Sequence, residues 1–254
     1  MKQTIPILLT ISAAATTLAH GADTKATSAH TFSGNASLVS QYVFRGITQT
    51  NGKPAVQAGL DYSHKSGFYA GFWASNISWY TDTVGNASAS STCLETDAFL
   101  GYRGGISQNL SLDIGLFEAY YPGTYSTEAV KPHTTEAYAA ISYKTFTVKY
   151  NHAVSRDAAG VADAKHSRYY EAGASFVLPR GITLAIHAGR QKYSTLSHAL
   201  SYNDYRIAIS KALMRECTIS ATCTYATTKD AYYTNAFGRD TGGRQVALGI
   251  TKGF

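Results

Sequence analysis

Apolar and polar residues alternate with period two along most of this chain, the pattern of a strand with one greasy and one wet face. In 243–254 (GRQVALGITKGF), Val246, Leu248 and Ile250 alternate with Ala247, Gly249 and Thr251, and the segment ends on Phe254. Elsewhere Leu94, Ala98, Leu100 and Tyr102 oppose Glu95, Asp97 and Arg103, and Leu112, Ile114 and Leu116 oppose Asp113. Phe146, Val148 and Tyr150 oppose Lys149 and Asn151, while Tyr170, Ala172, Ala174 and Phe176 oppose Glu171 and Ser175. The pattern predicts twelve strands, at 35–46, 54–64, 68–78, 93–103, 111–121, 134–144, 146–155, 168–178, 182–193, 203–213, 217–226 and 243–254. Most match the roughly 9–11 residues of a tilted membrane strand. No segment carries convincing helical periodicity.

Long and short connections alternate between these strands. Short turns fall at 65–67, 104–110, 145, 179–181 and 214–216; longer ones precede and follow each of them. A meander with two unequal rims looks like this, and a Greek-key sandwich has no reason to sort its loops by length. The expected fold is therefore all-β: a closed antiparallel transmembrane β-barrel of about twelve strands, with short periplasmic turns, longer external loops and both ends on the periplasmic side. Glu118, Lys211 and Lys252 fall on the apolar parity, near rims where a charge can reach water.

Composition agrees. Charged residues are only 15%, below the roughly 25% of ordinary soluble domains, while the chain is rich in tyrosine and glycine. Lys2 followed by an apolar run over 5–15 and small residues up to 22 reads as a secretory signal peptide, too short to span a membrane. The predicted organisation is a signal peptide at 1–22, a flexible segment at 23–33 and a barrel at 34–254. The three cysteines, Cys93, Cys217 and Cys223, are too dispersed to bridge, and no histidine or cysteine spacing suggests a metal or cofactor. A formal charge of +6 in an exported chain without an aromatic-basic groove points to an anionic cell surface such as lipopolysaccharide rather than nucleic acid.

The block at 37–77, SLVSQYVFRGITQTNGKPAVQAGLDYSHKSGFYAGFWASNI, closely resembles the start of the TorF family of bacterial porins. Its most specific part is FRG-x-x-Q-T-x-x-x-P-A-x-Q-x-G at 44–59. LETDAFLGYRGG (94–105), AYYPGTY (119–125), TEAYAAISY (135–143), YYEAGASFVLPRGITLAIHAG (169–189) and SYNDYRIAISK (201–211) match in order, so the resemblance covers nearly the whole mature chain. It implies an outer-membrane barrel of a Gram-negative bacterium, without naming a solute. Lys252 stands two residues before Phe254, where an apolar residue is common; the final strand still serves as the expected signal to the barrel assembly machinery.

The polar parity supplies the candidate lumen-lining residues: Arg45, Asp61, Glu95, Asp97, Arg103, Asp113, Glu136, Lys149, Glu171, His187 and Arg206. These mixed charges serve either as a constriction with a transverse field or as cross-strand pairs holding a narrow barrel together. Arg45, expected to point inward from the first strand, is either a pore-lining contact or a clamp for the first loop. Trp79 suits an interfacial girdle. Trp73, Phe99 and Phe117 on the inner parity favour constriction, and Gly59, Gly101, Gly173, Ala185 and Gly249 favour an opening. Lipid hydrolysis would need a nucleophile, base and orienting group facing lipid. His187 faces inward with Ser175 and Asn151, and His152 faces outward without a serine beside it, so no enzyme is expected. The expected function is passive diffusion of small hydrophilic solutes; the alternative is a non-conducting structural, adhesive or receptor-like barrel.

Overall fold

A computed structural model describes residues 28–83, 90–194, 199–214 and 216–254; the expected signal peptide and residues 23–27 lie outside them. The strands are β1 (His30–Val39), β2 (Val43–Phe44), β3 (Ile47–Thr48), β4 (Ala55–His64), β5 (Phe68–Asn76), β6 (Leu94–Gly105), β7 (Leu110–Tyr120), β8 (Thr134–Tyr143), β9 (Phe146–Ala153), β10 (Arg168–Leu178), β11 (Ile182–Lys192), β12 (Tyr202–Met214), β13 (Cys217–Ala226) and β14 (Gly243–Gly253). Twelve of them close into one antiparallel barrel, each pairing with its neighbour in sequence and β14 returning to β1; β2 and β3 form a separate small hairpin.

Closure follows from register. β1 meets β14 from Asn35 opposite Gly253 to Val39 opposite Gly249, and the buried hydroxyls of Ser37 and Thr251 bond across this seam at 2.8 Å. Gly34 N–H donates to the Phe254 carbonyl at 2.8 Å, and Phe254 N–H donates back at 3.0 Å. A side chain at Gly34 would strike the Phe254 ring, so the glycine is what lets the terminal aromatic lie on the seam.

The burial pattern is that of a soluble protein turned inside out. Val246, Leu248 and Ile250 on β14 are exposed while Gln245 and Thr251 are buried, and the same inversion holds on every barrel strand. Large aliphatic residues form the outer belt and polar residues line the interior, as a lipid exterior requires. Two of the outward charges at the rims have partners: Thr135 Oγ1 donates to the Glu118 carboxylate, and Lys252 Nζ lies 3.1 Å from Glu216.

Three expectations change. The first strand starts at His30, so 30–33 belong to the sheet, where Ser33 pairs with Asp61 on β4, and not to a flexible leader. It also ends at Val39 instead of 46. Arg45 and Gly46 both have left-handed backbone (φ 46° and 78°), the two-residue turn that matches strand twist in a tight hairpin, so β2 and β3 fold back on each other. Trp79 is not at the interface. Ser78 and Trp79 N–H groups both donate to the Gln49 carbonyl (2.8 and 3.0 Å), which draws the indole inward, edge-on to Tyr80 and Tyr121.

A lipid-facing charge tests the exterior. Ile207 is 57% exposed at mid-β12, between Ile186 and Cys223. Ile207→Arg is expected to lower unfolding free energy in lipid vesicles by about 2–4 kcal/mol, read by urea titration. On a water-exposed surface the same change would stay within about 0.5 kcal/mol.

Candidate functional site

The β2–β3 hairpin crosses the outer half of the lumen. Its base is tied near the seam: Gln41 Nε2 donates to the Val246 carbonyl (2.8 Å), Thr48 Oγ1 donates to Gln41 (3.0 Å), and Thr48 N–H donates to the Thr241 carbonyl (2.8 Å). Its tip packs against the wall at β13 and β12, the second and third strands from the seam on the β14 side. A Cβ on Gly46 would lie 2.9 Å from the Cβ atoms of Asp204 on β12 and Ala226 on β13, so only glycine allows both the turn and the approach.

Arg45 at that tip is the anchor. Its guanidinium donates to both Glu136 carboxylate oxygens (2.9 and 2.6 Å) and to Gln191 (3.2 Å), and lies 4.0 Å from the Tyr169 ring centroid. Glu136 is buried and the Arg45 side chain is only 11% exposed. Arginine suits the place because its planar fork matches a carboxylate and its flat face stacks on an aromatic ring. Of the two readings of Arg45, the geometry is that of a clamp, though from a hairpin tip and not from the wall.

Two further polar clusters hold the wall. Below the hairpin, Arg103 donates to Asp113 across β6–β7 (3.0 and 2.7 Å), Tyr69 OH donates to Asp113 at 2.5 Å, and the Tyr69 and Tyr138 hydroxyls meet. Lys149 lies 4.2 Å from the Tyr138 ring centroid and opposite Glu171 in register. Beside the hairpin tip, His187 bridges Glu171 (3.4 Å) and Asp204 (2.9 Å), and Tyr169 OH donates to Asp204 at 2.9 Å. Glu95, Asp97, Asp61 and Arg206 make no ion pair within 4.0 Å among the described residues.

One interior glycine, Gly101, does different work from that expected, and Gly115 and Gly189 share it. Cβ atoms at Gly101 and Gly115 would lie 2.7 Å from the ring Cζ atoms of Tyr69 and Tyr138, their cross-strand partners, and one at Gly189 would meet Tyr169. These are seats on which inward tyrosine rings lie flat against the wall. Gly101 therefore accommodates a ring and does not widen the bore. Trp73 and Phe99 do fill the interior, Trp73 edge-on to Tyr42.

Above the hairpin is a cavity of about 100 Å³, lined by Glu95, Trp79, Tyr121, Tyr193, Tyr232 and Asn235 among others. Burial pushes the Tyr42 and Tyr121 phenols well above their ordinary range and Tyr193 up to about 12, so these rings stay protonated and uncharged at neutral pH. Sequence reasoning missed Asp204, Gln191, Tyr169 and the hairpin itself. Asp204 and Tyr169 share the inward parity of Arg206 and Glu171, so that signal was present; the hairpin's destination was not. Among the described residues no cluster of three or more histidine, cysteine, aspartate or glutamate side chains could hold a metal ion, and Cys93, Cys217 and Cys223 are free thiols.

Residues 23–254 match a family described as a bacterial protein of unknown function, Gcw_chp. The chain belongs to that family. No curated protein matches the Gcw_chp chain significantly. Among solved structures it is similar to the KdgM porin, with 9% identity, TM-score 0.55, 87% of this chain and 99% of that one covered. The KdgM porin in complex with disordered oligogalacturonate gives 8%, 0.54, 88% and 98%, and the NanC porin in a rhombohedral crystal form gives 10%, 0.51, 87% and 98%. At such identity the likeness speaks for fold. This Gcw_chp protein shares the closed β-barrel fold of those porins, with its apolar face turned outward as a lipid exterior requires.

The clamp can be tested by unbalancing it. Arg45→Met leaves Glu136 buried without a partner and is expected to weaken hairpin docking by about 3–5 kcal/mol, whereas the double variant with Glu136→Leu recovers most of that. Hydrogen exchange of the amides at 43–48 reads the difference.

Proposed function

We propose that this barrel is a small porin giving passive diffusion of small hydrophilic solutes, with the hairpin of the first external loop as its constriction. The observation that carries the reading is a polar interior crossed by one clamped hairpin, beneath a cavity near the outer mouth. A barrel whose lumen served packing alone would have no use for a cavity there. The block at 37–77 favours the narrower assignment to the TorF porins, and its FRG is the tip of this hairpin.

With Asp204 added, the candidate lumen-lining residues Arg45, Asp61, Glu95, Asp97, Arg103, Asp113, Glu136, Lys149, Glu171, His187 and Arg206 comprise seven acids against four permanent bases. That balance supports weak cation preference. Basic side chains at the external loops, Lys131, Arg156 and Lys165 among them, suit contact with lipopolysaccharide. The exposed Phe254 on the closing seam suits recognition by the barrel assembly machinery.

A second reading rests on the same hairpin: clamped as it is, it plugs the lumen, and the barrel is structural or receptor-like. Planar-bilayer recording of the folded protein separates the two. A porin gives discrete steps, a reversal potential on the cation side in a salt gradient, and larger steps for Arg45→Ala. A silent wild type that conducts only after Arg45→Ala would establish the plug, and silence in both would end the channel reading.

A further inference from the structure

Buried polar groups almost always find partners, so those that do not mark places where something else binds. Four such groups line the cavity above the hairpin, Trp79 Nε1, Ser167 Oγ, Glu95 Oε2 and Asn235 Nδ2, and the last two come from different elements. Glu95, on β6, is 2% exposed; its Oε1 accepts from Tyr42 OH at 3.3 Å, while Oε2 has no partner in hydrogen-bonding geometry, with Tyr121 and Asp97 beside it. Asn235, in the loop before β14, is 4% exposed. Its Oδ1 accepts from the N–H groups of Phe237 and Arg239, both at 3.0 Å, which fixes the amide so that Nδ2 is the end left unpaired.

The charge balance has a sign. Within the cavity Arg45 is fully engaged by Glu136, whereas neither Glu95 nor the adjacent buried Asp97 has an ion-pair partner among the described residues. The remaining lining is aromatic: Trp79, Tyr121, Tyr193 and Tyr232 with Phe44 and Phe117. Tyr232 is held by a hydrogen bond from its hydroxyl to the Ala159 carbonyl (3.0 Å), and Trp79 stands edge-on to Tyr121. Rings around an unbalanced carboxylate attract an organic cation twice over, through their π faces and through its charge. They disfavour an anion.

We propose that this cavity is a binding site for a small organic cation, an amine or quaternary ammonium compound, with Glu95 facing the charge, the aromatic rings packed about it, and Asn235 donating to a hydroxyl or carboxylate on the same molecule. This deepens the porin reading by naming a solute class and rests on it for the solute's passage, though not for binding.

Isothermal titration of the folded barrel in detergent with choline, and with its neutral isostere 3,3-dimethylbutan-1-ol, tests the site. Choline is expected to bind about tenfold or more tightly than the isostere, the scale of a desolvated cation–π contact. Glu95→Gln is expected to abolish the difference. Tyr232→Ala, in an external loop away from the barrel wall, is expected to weaken choline binding even if Glu95→Gln fails to fold. Equal binding of the two compounds, no choline binding, or an unchanged preference in folded Glu95→Gln would overturn the proposal. Choline binding in a barrel that never conducts would uphold the site and remove the channel; conductance without choline binding would do the reverse.

Discussion

Backbone pairing across the seam between β1 and β14 is the constraint on which the rest of this structure depends. Inside a bilayer no water can satisfy an open sheet edge, so each strand needs two neighbours and the first must find the last. Five residue pairs, a buried Ser37–Thr251 hydroxyl bond and the reciprocal Gly34–Phe254 backbone bonds make that join. Once the sheet is closed, every strand has one face toward lipid and one toward the lumen. The period-two pattern then sorts Leu, Ile, Val and Phe outward and Ser, Thr, Gln and the charges inward.

A narrow closed barrel has an interior that must be filled, and here polar groups fill much of it. Buried charges are tolerable when paired and bonded, and the Arg103–Asp113, Glu171–His187–Asp204 and Arg45–Glu136 groups meet that condition. Glycines at 101, 115 and 189 recess the wall so that tyrosine rings can lie against it and offer their hydroxyls to these carboxylates. The same interior also takes in a piece of loop. Arg45 carries its charge to the far wall because a left-handed turn at Arg45 and Gly46 reverses the chain there, and the absence of a side chain at Gly46 lets the tip touch β12 and β13. The hairpin thus divides the lumen into a densely cross-linked inner half and an outer chamber lined by aromatic rings. Glu95 and Asn235, each with one polar atom left without a partner, both belong to the outer chamber.

How much of this could be read beforehand varies by residue. Strand faces were legible because a one-residue slip moves a whole row of side chains from lipid to lumen, so Val246, Leu248 and Ile250 could be placed without coordinates. The alternation of loop lengths gave the strand count and both rims. Arg103 and Asp113 could be assigned to the interior, but their pairing depended on a register that neither strand specifies alone. Arg45 points inward from a hairpin tip and not from the first strand, which ends at Val39, so strand parity alone does not explain its direction. An indole just after a strand resembles an interfacial residue, and only the distant Gln49 carbonyl, which draws Trp79 inward, sets it apart.

The amino-acid pattern by itself determined a closed sheet with a greasy outside and a wet inside, since that property is repeated locally in every strand and needs no knowledge of distant partners. Only the tertiary structure decided that the first external loop enters the lumen, which glycines seat rings, which charges are matched and which are left over. Those outcomes depend on meetings between residues such as Arg45 and Glu136, ninety-one positions apart, and such a meeting exists only after the barrel has closed around it.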